Sequence, residues 1–323
     1  MYKIVIIGAG QLGSRHLQGV LSSNITASIE VVDPNALSIK NAIVRSNEIN
    51  FDKNKLKINF YQNLNQISDN IDLCIIASTA DKRFEIIRAL LAISKVRNML
   101  LEKVLFQNLS EYDIIDKLLN INGVQTWVNC PRRIIKEYQD IKCQIDQEEI
   151  ISMKVIGTNW GLACNSIHFL DLFNYFTESN VFNFNQSGIN KIIPAKREGF
   201  YELLGTLIIK DKIGSNLFLQ SSNSQINNFN ISITTKNKLY NIKESIGEIE
   251  ILNIQDNKKE KKYFQMPYQS QITGVIIEDI LLKGSSGLTP YSISSLLHKQ
   301  LLTTFSDIFK QIQGNEINSC PIT

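Results

Sequence analysis

The stretch that most constrains the fold is "YKIVIIGAGQLGSRH", Tyr2 to His16: an unbroken apolar run, a glycine-rich turn and the start of a helical pattern. A continuous β-branched run suits a strand buried on both faces, the situation of a parallel sheet covered by helices. Leu17, Val20 and Leu21 follow at helical spacing, and "ASIEVVD" supplies a second strand that ends in Asp33. This is one βαβ unit.

The alternation continues. A helix is expected over about Ala36 to Ser46, a strand at "KINFY", a short helix at "NLNQI" and a strongly apolar strand at "IDLCIIAST". Helix "KRFEIIRALLAI", strand "NMLLEK", helix "LSEYDIIDKLLN" and strand "VQTWVNC" complete the series. Such a rhythm predicts an α/β domain over residues 1–128, built on an open, doubly wound parallel sheet. Past that point "ISMKVIGTNW", "ELLGTLIIK", "SNLFLQSS", "FNISITTK", "KLYNIKES" and "GEIEILNIQ" follow one another as strands, with one helix, "SIHFLDLFNYF", early among them. Residues 129–323 are therefore expected to form an α+β domain with a mostly antiparallel open sheet, closed by a terminal helix over 291–312 that packs back. A chain of 323 residues exceeds what a single growing core usually holds, which agrees with two domains.

Charge and cysteine usage exclude several function classes. The net charge of +3 is small and its basic residues are dispersed, so nucleic acid is not an expected partner. The densest charge run, "DNKKEKKYF", mixes signs between strand-like segments and reads as a solvated hairpin tip. The opening apolar stretch is too short for a signal peptide, and no stretch approaches the ~20 residues of a membrane span, which makes the cytoplasm the expected location and excludes a membrane partner. Five cysteines with no C-x-x-C pair argue against a disulfide framework or a structural zinc, and no ligand cluster suggests any other metal.

Gly8, Gly10 and Gly13 match G-x-G-x-x-G, in which the glycines permit a tight turn, close approach of backbone to a pyrophosphate, and close helix-to-strand packing. With Gln11 and Leu12 between them they form the candidate dinucleotide loop, at the positive end of a helix. Asp33, at the end of the next strand, is placed to accept hydrogen bonds from adenosine ribose hydroxyls and to repel a 2′-phosphate, so NAD is favoured over NADP. The alternative is a structural glycine turn with Asp33 as a solvated strand end. His16 reads as a helix side chain packed beside the loop. Ligands of doubly wound sheets lie at the carboxyl ends of the strands, which adds Ser78, Thr79, Glu102 and Lys103 to the candidate cofactor residues. A lysine there could exchange a proton with a substrate hydroxyl or carbonyl; an ordinary surface lysine paired with Glu102 is the alternative.

At these residues the chain resembles the glucose-fructose oxidoreductase, inositol dehydrogenase and rhizopine catabolism (Gfo/Idh/MocA) family of nicotinamide-dependent oxidoreductases. "GAGQLGSRH" is similar to the family's cofactor loop, "LLEK" to its E-K-P stretch, "PRRIIKEY" to its R-R-x-x-x-x-Y segment, and "GLACNSIHFLDLF" to its G-x-x-x-D-x-G-x-H-x-x-D-L segment. The resemblance runs nearly end to end. It implies a Rossmann domain followed by an α+β domain whose open sheet presents a face for a homodimer or homotetramer. It also implies Lys103 and His168 as the acid-base pair, Glu102 near the nicotinamide ribose or amide, and a sugar-like small-molecule substrate. Arg132, Trp160 and Asn165 join Lys103 and His168 as candidate substrate contacts, with Trp160 able to stack on a sugar ring or simply to pack. The chain departs from the family pattern at two places. Val104 stands where a proline follows the lysine, which removes a backbone constraint, and Cys164 stands where the family carries an aspartate.

The function expected from these residues together is NAD-dependent hydride transfer to or from a carbon bearing a hydroxyl or keto group. By analogy the substrate would be a nucleotide-activated sugar or a nonulosonic acid intermediate of surface-glycan assembly. Two rivals stand beside it: a non-catalytic dinucleotide-binding sensor or subunit, and an epimerase that closes its redox cycle internally on tightly held NAD.

Overall fold

β1 (Tyr2–Ile7) lies at the centre of a seven-stranded sheet, with Ile4 to Ile7 buried on both sides. The computed structural model describes residues 1–146, 149–224, 228–313 and 319–323. α1 (Gln11–Leu21) leads to β2 (Ala27–Val32), and α2 (Ala36–Ser46) to β3 (Leu56–Tyr61). The chain then crosses to the other side of β1 with β4 (Asn70–Ile76), α3 (Ala80–Ile93), β5 (Lys95–Leu101), α4 (Leu109–Ile121) and β6 (Gln125–Val128). These six strands pair in parallel in the order β6-β5-β4-β1-β2-β3, so the strand order reverses between β1 and β4. That reversal opens a crevice at the carboxyl ends of β1 and β4, the usual ligand site of such sheets.

The described residues divide into two units, Met1–Asn129 with Pro267–Ser295, and Cys130–Met266 with Leu296–Thr323. The first unit is thus discontinuous, where the sequence suggested one cut between 128 and 129. The reason is local packing. α7 (Gln269–Glu278) lies against α1 so closely that a Cβ on Gly19 would stand 2.5 Å from Thr273 Cβ and 2.7 Å from the Ser270 carbonyl oxygen. The short strand β15 (Thr289–Pro290) then adds antiparallel to β6. Neither segment carries a strong periodic signal, and both went unread in the sequence.

The second unit contains α5 (Lys136–Lys142), β7 (Ser152–Thr158), α6 (Leu162–Thr177), β8 (Asn183–Pro194), β9 (Tyr201–Lys210), β10 (Asn216–Ser222), β11 (Phe229–Thr234), β12 (Lys238–Lys243), β13 (Glu248–Asn253) and β14 (Lys259–Tyr263). The strands form one sheet, ordered β14-β13-β12-β11-β7-β10-β9-β8, antiparallel throughout except for the β7–β10 pair. Its covered face is apolar, with Met153, Val155, Leu217, Leu219, Ile231 and Ile233 buried, and α6 packs on β9 and β10. α8 (Tyr291–Gln313) runs in the place expected for the terminal helix. Part of the charge run expected to be a hairpin tip is instead β14, an exposed edge strand "KEKKY" following a turn at Asn257; lysines at an edge discourage further pairing. β8 escaped sequence reading because its Asn-rich residues alternate weakly and its pairing with β9 is interrupted by register shifts.

No helix among the described residues is long and apolar enough to cross a membrane. Among the same residues no group of three or more His, Cys, Asp or Glu side chains could hold a metal, and none of the cysteines forms a disulfide.

Candidate functional site

The glycine loop closes on itself through backbone contacts that no side chain would allow. Gly8 has φ +94°, and a Cβ there would lie 2.9 Å from the Ala77 carbonyl carbon and the Ser78 nitrogen; a Cβ on Gly13 would fall 1.7 Å from the Gly8 carbonyl oxygen. Around Gly10 the situation is opposite. A Cβ there would meet nothing within 4 Å, and Gly10 caps α1 without any side-chain hydrogen bond to the first-turn amides. Open space beside backbone N–H groups at the positive end of a helix fits a pyrophosphate. Gln11 and Leu12 belong to this first turn. Leu12 is exposed, and Gln11 Oε1 accepts from Arg45 Nη2 of α2 at 2.6 Å, which brings an additional positive charge that the sequence reading had not associated with the loop.

Asp33 closes the other side of the loop. Its Oδ2 accepts from the Ala9 amide at 2.7 Å and its Oδ1 from the Asn35 amide at 2.8 Å. Each oxygen keeps a further lone pair, so the carboxylate is oriented and still able to receive ribose hydroxyls. The residues present therefore fit a dinucleotide.

Ser78 and Thr79 follow β4, and Thr79 is the N-cap of α3. The buried Arg83 of α3 donates to the carbonyls of Ser78, Val104 and Leu105, the last at 2.8 Å. One guanidinium thereby ties the loop after β4 to the backbone immediately beyond Lys103. Where Val104 replaces the family's proline, this clamp restrains the segment. The Lys103–Val104 peptide is cis, and Lys103 is half-buried.

Glu102, the residue before it, belongs to a closed ring of five side chains. His16 Nε2 meets Glu102 Oε1 at 2.8 Å, and His16 Nδ1 meets Thr273 Oγ1 at 2.9 Å. Gln269 Nε2 donates to Thr273 Oγ1 at 3.0 Å, Asn129 Nδ2 donates to Gln269 Oε1 at 2.9 Å, and the same Nδ2 donates to Glu102 Oε1 at 2.6 Å. Thr273 Oγ1 also donates to the Gln269 carbonyl at 2.8 Å. Glu102 is an acceptor toward Asn129 and, as a carboxylate, toward His16 Nε2. Burial pushes the Glu102 carboxyl upward, but the hydrogen bond and charge of His16, the Asn129 bond and the charge of Lys103 outweigh it and hold the group below its ordinary value. Sequence reading had found Glu102 and had taken His16 only for packing; Asn129, Gln269 and Thr273 were missed because only the fold brings α1, β5, β6 and α7 together.

Within the second unit, Arg132 is paired with a carboxylate of the protein. Its Nε and Nη2 donate to the two oxygens of Glu244, both at 2.8 Å, Tyr138 donates to Glu244 Oε1 at 2.6 Å, and the guanidinium stacks over Phe169 at 4.5 Å. Trp160 donates to the Gln220 carbonyl and stands edge-on to Phe169 at 5.4 Å. Asn165 Nδ2 donates to the Trp160 carbonyl at 2.7 Å. Trp160 and Asn165 thus meet at the first turn of α6, and His168 lies one turn further along the same helix, half-buried. The start of α6 is capped from β9, where Glu202 Oε2 accepts from the Ala163 amide at 2.8 Å and the Cys164 amide at 3.4 Å. Nothing in the sequence pairs Glu202 with that helix.

Residues 2–130 match the family described as "Oxidoreductase family, NAD-binding Rossmann fold" (GFO_IDH_MocA). The match covers the N-terminal domain. No curated protein matches the sequence. Among solved structures, UDP-N-acetylglucosamine 3-dehydrogenase GnnA from Acidithiobacillus ferrooxidans shares 12% identity at a TM-score of 0.71, over 94% of this chain and 96% of that one. An oxidoreductase from Agrobacterium radiobacter in complex with NAD+, L-tartaric acid and magnesium shares 13% identity at 0.71, over 94% of both chains. A super-repressor mutant of Gal80p from Saccharomyces cerevisiae shares 15% identity at 0.70, over 97% of this chain and 96% of that one. At these identities the likeness is one of fold, and it spans both the N-terminal domain and the α+β domain that follows.

Proposed function

We propose that the chain is an NAD-dependent oxidoreductase that moves a hydride between the nicotinamide and a hydroxyl- or keto-bearing carbon of a sugar-like substrate. The observation that carries the reading is Lys103, half-buried at the carboxyl end of β5 beside the charged Glu102, on the sheet edge where the glycine loop forms its open cradle. Gly8 to Gly13 and Asp33 would hold the pyrophosphate and the adenosine ribose, with Ser78, Thr79 and Glu102 at the nicotinamide end. When bound, the nicotinamide supplies or accepts the hydride. Lys103 polarises the substrate oxygen and takes or returns its proton, and His168 shares that proton. GnnA, by its name a dehydrogenase of a nucleotide-activated sugar, supports the same substrate class here, with nonulosonic acids as the next class to try. The work would be done in the cytoplasm, where the cofactor is available. The test is to incubate the purified full-length protein with NAD or NADP and a panel of sugars, nucleotide-sugars and nonulosonic acids, and to follow reduced nicotinamide. Turnover of at least one member is the expected result.

Asp33 should set the choice of cofactor. Wild-type protein is expected to bind NAD roughly 100-fold more tightly than NADP, because a like-charge contact costs several kcal/mol, and Asp33→Ser should erase most of that difference while weakening NAD. Titration calorimetry with both dinucleotides measures it. Equal affinity of the wild type for the two would remove Asp33 from this role.

The open face of the second sheet supports a homo-oligomer. Phe218 lies across from Lys154 and Ile208, and Ile156 across from Gln220 and Asn230. Ile156 is exposed and Phe218 and Ile208 are half-buried, an apolar set of the kind that a second copy covers. Light scattering should find a dimer or tetramer, and Phe218→Lys with Ile156→Lys should give monomer; a monomeric wild type at micromolar concentration contradicts the proposal.

Val104, Cys164 and the fold shared with Gal80p favour a second reading, a non-catalytic dinucleotide-binding subunit. NAD bound without turnover of any panel member would select it.

A further inference from the structure

His16 lies fully buried on α1, three residues beyond the glycine loop, and contacts neither the loop's cradle nor Lys103 in the hydrogen bonds described above. A ring of five polar side chains containing a carboxylate and an imidazole is a poor way to obtain stability, since apolar residues of similar volume usually serve as well or better in such a place. Its location is specific. It joins the ends of β5 and β6 to α1 and α7, and the residue after Glu102 is Lys103. Both of the ring's bonds to Glu102 go to Oε1. The backbone of Glu102 is held as well, its amide donating to the Ile76 carbonyl at 3.0 Å.

We propose that His16 is a positioning residue: by donating to Glu102 Oε1 while anchored on Thr273, it fixes that carboxylate in charge and orientation, and through it sets where the Lys103 ammonium stands. The proposal rests on the oxidoreductase reading for its consequence in catalysis, but its structural half is independent of that reading. The charged and titratable groups facing the imidazole are Glu102 from β5 and, beyond it, Lys103; Asn129, Gln269 and Thr273 are neutral. Without a donor at position 16 the carboxylate would be buried with Asn129 alone, free to rotate or to take up a proton, and the lysine would lose a fixed counter-charge.

The test uses full-length wild type, His16→Leu, His16→Gln and Thr273→Val, each first checked for a cooperative thermal transition. Leucine removes both ring nitrogens, glutamine restores a donor toward Glu102 without an imidazole, and Thr273→Val removes only the anchor. Lysines are labelled by reductive methylation with 13C, and the Lys103 resonance is assigned by its disappearance in Lys103→Met. The expected result is that this resonance moves in His16→Leu, returns toward its original place in His16→Gln and shifts partly in Thr273→Val. With a substrate in hand, kcat should fall on the order of 100-fold in His16→Leu, the scale of a small misplacement of a reacting group, with the KM for NAD little changed and with recovery of most of the loss in His16→Gln. An unmoved Lys103 resonance in folded His16→Leu overturns the proposal, as does a moved resonance accompanied by wild-type kcat. Should the wild type turn over no member of the panel, the oxidoreductase reading fails by itself, and the lysine resonance alone decides whether His16 positions Lys103.

Discussion

Lys103→Met is expected to lower turnover by about 10³- to 10⁴-fold, near the upper range for loss of a single acid-base group, while NAD affinity stays within roughly threefold of wild type. Methionine keeps the length and apolar stem of the side chain and removes only the ammonium. Arg83 would still bind the carbonyls of Val104 and Leu105, and the His16–Glu102 ring would still close, since neither uses the Lys103 side chain. A loss confined to kcat therefore separates the proton-transfer role from cofactor binding. Single-turnover kinetics with NAD at saturation, beside calorimetric NAD titration, makes the distinction. If Lys103→Met turns substrate over at near the wild-type rate, the mechanism fails; if it loses NAD as well, Lys103 holds the cofactor and does not act as the acid-base group.

The second large effect is expected at Gly13. A Cβ at that position would sit 1.7 Å from the Gly8 carbonyl oxygen and 2.8 Å from its carbon, both backbone atoms of a turn that itself abuts the Ala77–Ser78 backbone. No rotamer relieves a clash with Cβ, so Gly13→Ala has to push α1 away from the end of β1. The cost should reach about 3 kcal/mol, the upper range for overpacking, and NAD binding should fall at least about 100-fold because the first-turn amides move with the helix. Gly10→Ala is the control: a methyl there meets no protein atom within 4 Å, so the fold should keep its stability while the methyl intrudes on the pyrophosphate. Thermal unfolding with and without NAD reads both. Unchanged stability in Gly13→Ala would mean that the loop is looser than its contacts imply.

Much of this site is legible in the sequence. The run of apolar residues before Gly8, the glycine spacing and Asp33 at the end of the next strand are local features. They identify the loop because strand, turn and helix are each determined by residues close together in the chain. Lys103 could be located because strand ends in a doubly wound sheet share one edge, which reduces the search to a few positions. Other features were beyond the reach of pattern. Arg83 looks like any helix arginine until its guanidinium is found among the carbonyls of Ser78, Val104 and Leu105. Arg132 reads as a candidate substrate contact until Glu244, more than a hundred residues later, accepts from its Nε and Nη2. Segment Pro267–Ser295 follows the second unit's strands in sequence, and only its contacts in space, such as that of Gly19 with Thr273, show that it completes the first.

By itself the sequence determined the parallel sheet, the glycine turn and the strand-end residues, since side-chain periodicity and backbone freedom act over a few residues. Tertiary structure alone decided which polar groups are partnered. His16 is a buried donor because α7 brings Thr273 to one of its nitrogens and β5 brings Glu102 to the other, and hydrogen bonds between residues separated by 86 and 257 positions leave no trace in local pattern.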